Sequence, residues 1–159
     1  MIPVLIIGYG NPLRSDDGIG RRAAEALLNE WPADQVRVEP AHQLLPEMAD
    51  WLSDAGHVLF IDACWDLVPG RIRSRAVHPE KSRTASMTHR FSPEGLLADA
   101  WQFFHRGPEA VLVSVGGASF EHGEGLSRQV ESVFPELLAQ VKRSVRKNLT
   151  KAEKVGTHA

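Results

Sequence analysis

The amino-acid sequence predicts an α/β domain with a mostly parallel central sheet flanked by helices. Apolar segments of strand length alternate along the chain with segments whose apolar residues recur at helical spacing. Three of the predicted strands are almost continuously apolar, which is typical of parallel strands buried on both faces. A length of 159 residues is that of one ordinary domain.

The first half of the chain contains three of the predicted strands and two helices. Strands are predicted at residues 2–7, 36–38 and 57–63, because each is a short apolar run bounded by polar or turn-forming residues. A helix of about three turns is predicted to begin at Ile19 and to end before Trp31. Residues 44–52 predict the second helix, with a proline near its start.

The second half begins with a predicted edge strand and a helix. Arginine alternates with smaller residues over 71–77, which indicates a half-exposed edge strand entered through a Pro-Gly turn. Residues 78–91 are polar and are expected to form a loop. Ser92 is predicted to cap a helix that begins at Pro93 and carries its apolar residues on one face.

The C-terminal part supplies one more buried strand, at residues 110–115, and a final helix, at residues 127–145. We therefore expect a single domain over residues 1–146. The polar residues 147–159 are expected to form a frayed, flexible tail.

Composition narrows the possible functions. The formal charge of -2 argues against a nucleic-acid partner, because such proteins usually carry a strongly basic face. The single cysteine, Cys64, excludes an internal disulfide and a thiolate zinc site, and fits a reducing compartment. No segment approaches the roughly 20 apolar residues of a membrane span, and no signal peptide is apparent. We expect a cytoplasmic monomer without a membrane partner.

The loop GYGNPLRSDDGIG at residues 8–20 is the most distinctive local feature. It invites a dinucleotide-binding interpretation, but the third glycine of that fingerprint would fall at Leu13, and acidic residues would repel phosphate. Asp16 and Asp17 stand at the start of the predicted helix. They are open to two interpretations, namely helix capping and metal binding.

Two further residues could join this loop at the carboxyl ends of the strands, where α/β sheets bind ligands. Asp62 ends an apolar strand and needs solvent, a hydrogen-bonding partner or a cation; strand-end capping is the alternative. His89 lies in the polar loop before a predicted helix, where an ordinary loop histidine is the alternative. Together with Asp17 they form two carboxylates and one imidazole, a ligand set suited to zinc or nickel.

Five segments, in this order along the chain, resemble those of the hydrogenase maturation proteases, metal-recognising endopeptidases of the M52 type. They are GYGNPLRSDDGIG (8–20), QLLPEMAD (43–50), FIDA (60–63), THRFSPEGLLA (88–98) and VSVGGASFEHGEGLS (113–127). The resemblance implies a twisted five-stranded sheet flanked by helices in three layers, as in phosphorylase- or hydrolase-like folds. It also implies an endopeptidase that removes the C-terminal extension of the nickel-iron hydrogenase large-subunit precursor after nickel insertion.

The same resemblance assigns metal binding and catalysis to Asp17, Asp62 and His89. In crystallised members of the family the first acid is often glutamate, so the shorter Asp17 implies a metal closer to this loop or bound more weakly. Other members carry the histidine directly after Ser-Pro, where this chain has Glu94. Glu94 therefore competes for the third ligand position, and His122 is a further candidate. The expected metal is nickel supplied by the precursor, with zinc or cadmium as occupants in crystals.

Remaining roles stay open at the level of the sequence. Asp16 is expected to act as a general base or to orient a metal ligand. Cys64 is a possible nucleophile without an evident histidine partner, so a structural thiol is favoured. Trp65 is interpreted as a core or lid residue that could contact a peptide. The rival functions are a non-catalytic chaperone that binds nickel or the precursor, and a nucleotide-binding module.

Overall fold

A computed structural model of the chain describes residues 1–81 and 91–156, in which one five-stranded sheet carries helices on both faces. The strands are β1 (Ile2–Tyr9), β2 (Val36–Ala41), β3 (Ala55–Cys64), β4 (Ile72–Val77) and β5 (Glu109–Gly116). The helices are α1 (Ile19–Leu27), α2 (Met48–Ser53), α3 (Pro93–Phe104) and α4 (Arg128–Gly156). A short 3₁₀ helix, Ser15–Gly18, leads directly into α1.

The strand order is β2-β1-β3-β5-β4, and the first four strands of that order are parallel. β4 pairs antiparallel with β5 and ends the sheet, which confirms both the mostly parallel architecture and the predicted edge strand. Because β1, β3 and β5 run in the same direction, the loops that follow them meet at one edge of the sheet. We call this the carboxyl edge.

The core has two layers because the central strands are covered on both faces. One face packs against α2 and α3, with Phe60 of β3 at its centre, and the other packs against α1 and α4, with Ile61 pointing into it. Residues 4–7 of β1 are fully buried, which explains why this strand is apolar at every position rather than at alternate positions.

The last helix differs from the prediction. α4 continues to Gly156 instead of ending at residue 145, so residues 147–156 are helical and the expectation of a frayed tail is wrong for them. Leu149 follows the buried Val145 by one turn and packs against the same core layer, so the apolar stripe extends the helix. None of the described helices is long and apolar enough to cross a membrane.

Local signals explain where two other elements begin. The hydroxyl of Ser92 accepts a hydrogen bond from the Gly95 N–H at 3.0 Å and Pro93 occupies the first turn, so the predicted cap of α3 is confirmed. α2 begins at Met48, later than predicted, because residues 46 and 47 form a turn in which the Met48 N–H donates to the Leu45 carbonyl. Within the predicted loop 78–91, residues 82–90 lie outside the described part of the chain.

Candidate active site

The loop after β1 packs against the carboxyl edge through two glycines. A Cβ atom on Gly20, in the first turn of α1, would lie 2.1 Å from the carbonyl oxygen of Ile61 on β3. A Cβ atom on Gly10, whose φ is 145°, would lie 1.8 Å from the carbonyl oxygen of Asp17. Only glycine fits either position, so these glycines let the two acids of the loop come close to the strand ends.

Asp16 is fully buried and binds the backbone of the loop after β5. One carboxylate oxygen accepts the N–H groups of Ala118 at 2.8 Å and Ser119 at 3.1 Å, and the other accepts that of Ser127 at 2.7 Å. Burial alone would raise the pKa of Asp16, but these hydrogen bonds outweigh it and hold the pKa below its usual value. Asp16 is therefore an ionised anchor between two loops.

Neighbouring contacts strengthen the same junction. Ser15 donates its backbone N–H to the carbonyl of Gly123 and its hydroxyl to the carbonyl of Glu121, both at 2.9 Å. The guanidinium of Arg14 donates to the carbonyl of Phe120 at 3.2 Å. The loops after β1 and β5 thus form one continuous surface, although more than 100 residues separate them in sequence.

Asp17 is oriented differently from its neighbour. It is half-buried, and one carboxylate oxygen accepts the backbone N–H of Asn11 at 2.9 Å. No described residue donates to its other oxygen, Oδ1. Of the two adjacent acids, Asp17 therefore keeps a carboxylate oxygen for an external ligand, while Asp16 uses both oxygens to bind the backbone.

Asp62 lies on β3, on the face that also carries Ser114 of the adjacent β5. Its carboxylate accepts the hydroxyl of Tyr9 at 2.9 Å on one oxygen and that of Ser114 at 2.8 Å on the other. Burial raises the pKa of Asp62 to about 6, although both hydroxyls and Arg75 favour its ionised form. A bound cation would supply the missing compensation for this charge.

The end of β1 connects the two carboxylates that were predicted to be ligands. The Tyr9 hydroxyl donates to Asp62, and two residues later the Asn11 N–H donates to Asp17. Burial, followed by the charge and hydrogen bond of Asp62, raises the pKa of Tyr9 well above its usual value, so its hydroxyl remains a donor. One three-residue segment therefore positions both acids at the carboxyl edge.

The third predicted ligand, His89, lies outside the described residues. Within residues 1–81 and 91–156, no three side chains of the types His, Cys, Asp and Glu come close enough to hold a metal ion. Glu94 forms an ion pair with Arg75 at 2.8 Å, and His122 is exposed on the loop after β5. In this part of the chain neither alternative completes a three-ligand set with Asp17 and Asp62.

Cys64 follows Asp62 on the same face of β3. Its thiol donates a hydrogen bond to the carboxylate of Asp66, and its sulfur lies 3.6 Å from the Arg73 guanidinium. Burial and the contact with Asp66 raise the pKa of the Cys64 thiol. These contacts disfavour a thiolate nucleophile and agree with a structural thiol.

Tyr9, Ser114 and Arg75 surround Asp62, and none of the three is predicted from the sequence to belong to the site. Ser114 carried a usable signal, because it is the only polar residue in the apolar run of β5. Tyr9 was visible only as part of the glycine loop. Arg75 was interpreted as one exposed residue of an alternating edge strand.

The structure is similar to solved hydrogenase maturation endopeptidases. Endopeptidase HybD of Escherichia coli is 25% identical, with a TM-score of 0.72 over 92% of this chain and 93% of that one. The hydrogenase 2 maturation peptidase of a Thaumarchaeota archaeon is 27% identical, with a TM-score of 0.66 over 89% and 97% of the two chains. The maturation protease HycI of Thermococcus kodakarensis shares the fold at 18% identity, with a TM-score of 0.72 over 90% and 92%.

The sequence matches no protein-family model and no curated protein. The similarity to maturation endopeptidases therefore rests on the fold, on identities of 25 to 27% with HybD and the archaeal peptidase, and on the five family-like segments. The five-stranded, mostly parallel sheet with helices on both faces is the fold that the resemblance implied.

Proposed function

We propose that this relative of the hydrogenase maturation endopeptidases removes the C-terminal extension of a nickel-iron hydrogenase large-subunit precursor after nickel has been inserted. The observation that carries the proposal is the position of Asp17 and Asp62 at the carboxyl edge, where Tyr9 and Asn11 hydrogen-bond to them. Substrates of α/β sheets bind beyond this edge. The similarity to solved maturation endopeptidases supports this class of substrate.

Asp17, Asp62 and His89 are proposed to complete the coordination of the nickel that the precursor brings. The donor chemistry fits a borderline divalent cation, because carboxylate oxygens and an imidazole nitrogen all suit nickel. Asp62 suits this contact, since its carboxylate is buried and no cation of residues 1–81 or 91–156 contacts it directly. The metal serves in this proposal as the recognition element that docks the cleavage site beside these residues.

Asp16 is proposed to position the site rather than to act as the general base. A base must present an accessible lone pair to the substrate, whereas Asp16 is fully buried and both of its oxygens face backbone N–H groups. Its pKa lies below the usual value, which makes it a weak proton acceptor. Its role is to hold the loop after β5 against the loop that carries Asp17.

A cleavage assay tests the proposal. Purified protein is mixed with nickel-loaded precursor, and mass spectrometry follows the appearance of the shortened large subunit. Asp17→Asn, Asp62→Asn and His89→Ala are each expected to lower the rate at least 100-fold. Asp54→Asn is the matched control, because Asp54 is an exposed acid immediately before the first residue of β3, at the opposite end of that strand from Asp62.

The same assay separates the non-catalytic chaperone. A chaperone would bind nickel-loaded precursor with the same residues, so Asp62→Asn would weaken the complex, yet the mass of the precursor would not change. Binding without cleavage by the wild-type protein, under conditions in which nickel is retained by the precursor, would overturn the proposed endopeptidase.

A further inference from the structure

In the described part of the chain, β4 is the last strand on its side of the sheet and its outer edge is unpaired. Among the described residues it pairs only with β5, and Arg73, Ser74, Arg75 and Ala76 are all exposed. The hydrogen bond from the Gly116 N–H to the Arg71 carbonyl shows which residues of β4 hydrogen-bond to β5. Alternate residues, Ser74 among them, therefore direct their backbone N–H and C=O groups away from β5. Such an edge can accept an additional strand.

The open edge is positively charged on the side of the candidate active site. Arg73 pairs with Ser114, which in turn pairs with Asp62, so the three residues share one register row and one face of the sheet. Arg71 and Arg75 precede and follow at alternate positions on that face. Arg75 is paired with Glu94, and Asp66 offsets part of the charge of Arg73. Residues 71–77 contain no acid, so Arg71 and Arg73 together still leave this edge with an excess of positive charge.

Exposed apolar side chains stand next to the start of β4. Trp65 is 83% exposed and Val68 is 66% exposed, both in the connection between β3 and β4. The backbone at Leu67 and Val68 packs against Gly116, which fixes this connection beside the carboxyl edge. A nearly bare tryptophan beside an open strand edge is typical of a surface that contacts a partner.

We propose that the outer edge of β4 binds the precursor's C-terminal extension as an added strand, anchored by Trp65 and Val68 and selected for acidic side chains by Arg71 and Arg73. This inference rests on the proposed function, because it assigns the place where that substrate lies. An extended peptide gains backbone hydrogen bonds from the edge, and side chains at alternate positions meet the arginines.

The distance from the candidate active site to this edge suits a short peptide. Asp62 lies on the third strand from the open position, and three interstrand spacings of about 4.8 Å amount to roughly 14 Å. Four extended residues span that length. Residues a few positions beyond a bond cleaved near Asp62 can therefore reach the edge of β4.

Arginines on an edge strand can also act only to prevent aggregation, so the test must distinguish the two roles. Ser74→Pro removes a backbone N–H that points away from β5, and it leaves the pairing with β5 intact. A double variant, Arg71→Glu with Arg73→Glu, reverses the charge. A matched double variant, Arg146→Glu with Lys147→Glu, makes the same charge change on the exposed side of α4.

Cleavage of nickel-loaded precursor is measured at increasing precursor concentration. We expect Ser74→Pro and the Arg71/Arg73 double variant to raise KM at least tenfold with kcat within twofold of wild type, and the α4 variant to leave KM within twofold. Wild-type KM in both β4 variants would overturn the inference while leaving the endopeptidase intact. No cleavage by the wild-type protein would instead refute the proposed function.

Hydrogen exchange tests the site without cleavage and without any substitution. A synthetic peptide with the sequence of the extension is added to the wild-type chain, and exchange of the β4 amides is followed by mass spectrometry. We expect at least tenfold slower exchange of the outward-facing amides of residues 72, 74 and 76, and less protection in 0.5 M salt. Unchanged exchange of these β4 amides would overturn the inference. Protection that depends only on protein concentration, and not on the peptide, would also overturn it, because a second copy of this chain would then bind the edge of β4.

Discussion

Replacement of Asp62 by asparagine is expected to abolish a loss of stability that the wild-type protein shows as the pH rises to neutrality. In the native protein the pKa of Asp62 is raised from 3.8 to about 6, mainly because the carboxylate is buried. The native state therefore binds the proton more tightly than the unfolded chain does, and stability falls as pH rises from about 4 to above 6. Asparagine has nearly the same shape and carries no charge at any pH.

The size of the effect follows from the two pKa values. A difference of about 2 pH units in pKa corresponds to about 3 kcal/mol once the group is fully ionised. About 1 kcal/mol of this loss of stability has already occurred at pH 4.5. The loss between pH 4.5 and pH 7.5 is therefore about 2 kcal/mol. Asp62→Asn should lack this loss, because nothing at position 62 titrates.

Urea unfolding of both proteins at the two pH values measures the effect. The free energy of unfolding of Asp62→Asn minus that of the wild type should increase by about 2 kcal/mol from pH 4.5 to pH 7.5. Other titrating groups cancel in this difference, since both chains share them. A difference that stays constant with pH, or that decreases, would refute the argument that Asp62 is a buried and uncompensated charge.

Three further substitutions test the contacts that build the site. Asp16→Asn directs an amide N–H at backbone N–H groups and removes charged acceptors. The free energy of unfolding in urea should therefore fall by about 2 to 4 kcal/mol. A fall of less than about 1 kcal/mol would contradict the anchor role. Gly20→Ala places a Cβ 2.1 Å from the Ile61 carbonyl oxygen and should lower the melting temperature by several degrees, reflecting about 3 kcal/mol. Tyr9→Phe removes a hydrogen bond that lowers the pKa of Asp62, so an NMR titration should find that pKa above 6. An unchanged pKa would show that the Tyr9 hydroxyl does not stabilise the ionised carboxylate.

The sequence determined the framework because burial leaves a local signal. A strand enclosed on both faces must be apolar at every position, and β1, β3 and β5 could each be recognised in this way. The order of strands and helices then placed Asp17 and Asp62 at the carboxyl edge before any contact was known. The cap at Ser92 was equally local, since it involves residues only three positions apart.

The ends of elements were less predictable where tertiary contacts extend them. The polar residues after position 146 gave no reason to continue a helix beyond Val145. The helix continues because the side chain of Leu149 packs against the core layer that also contains α1. This additional apolar contact stabilises the turns after Val145.

Only the tertiary structure distinguished the two adjacent acids. Asp16 and Asp17 have the same side chain and almost the same neighbours in sequence, so no local pattern separates an anchor from a ligand. The distinction comes from the loop after β5, which lies more than 100 residues away and supplies all three backbone donors to Asp16. In the loop GYGNPLRSDDGIG the sequence specified where carboxylates would stand. Long-range hydrogen bonds decided which of them remains available to a substrate, because those bonds form only once the two loops meet.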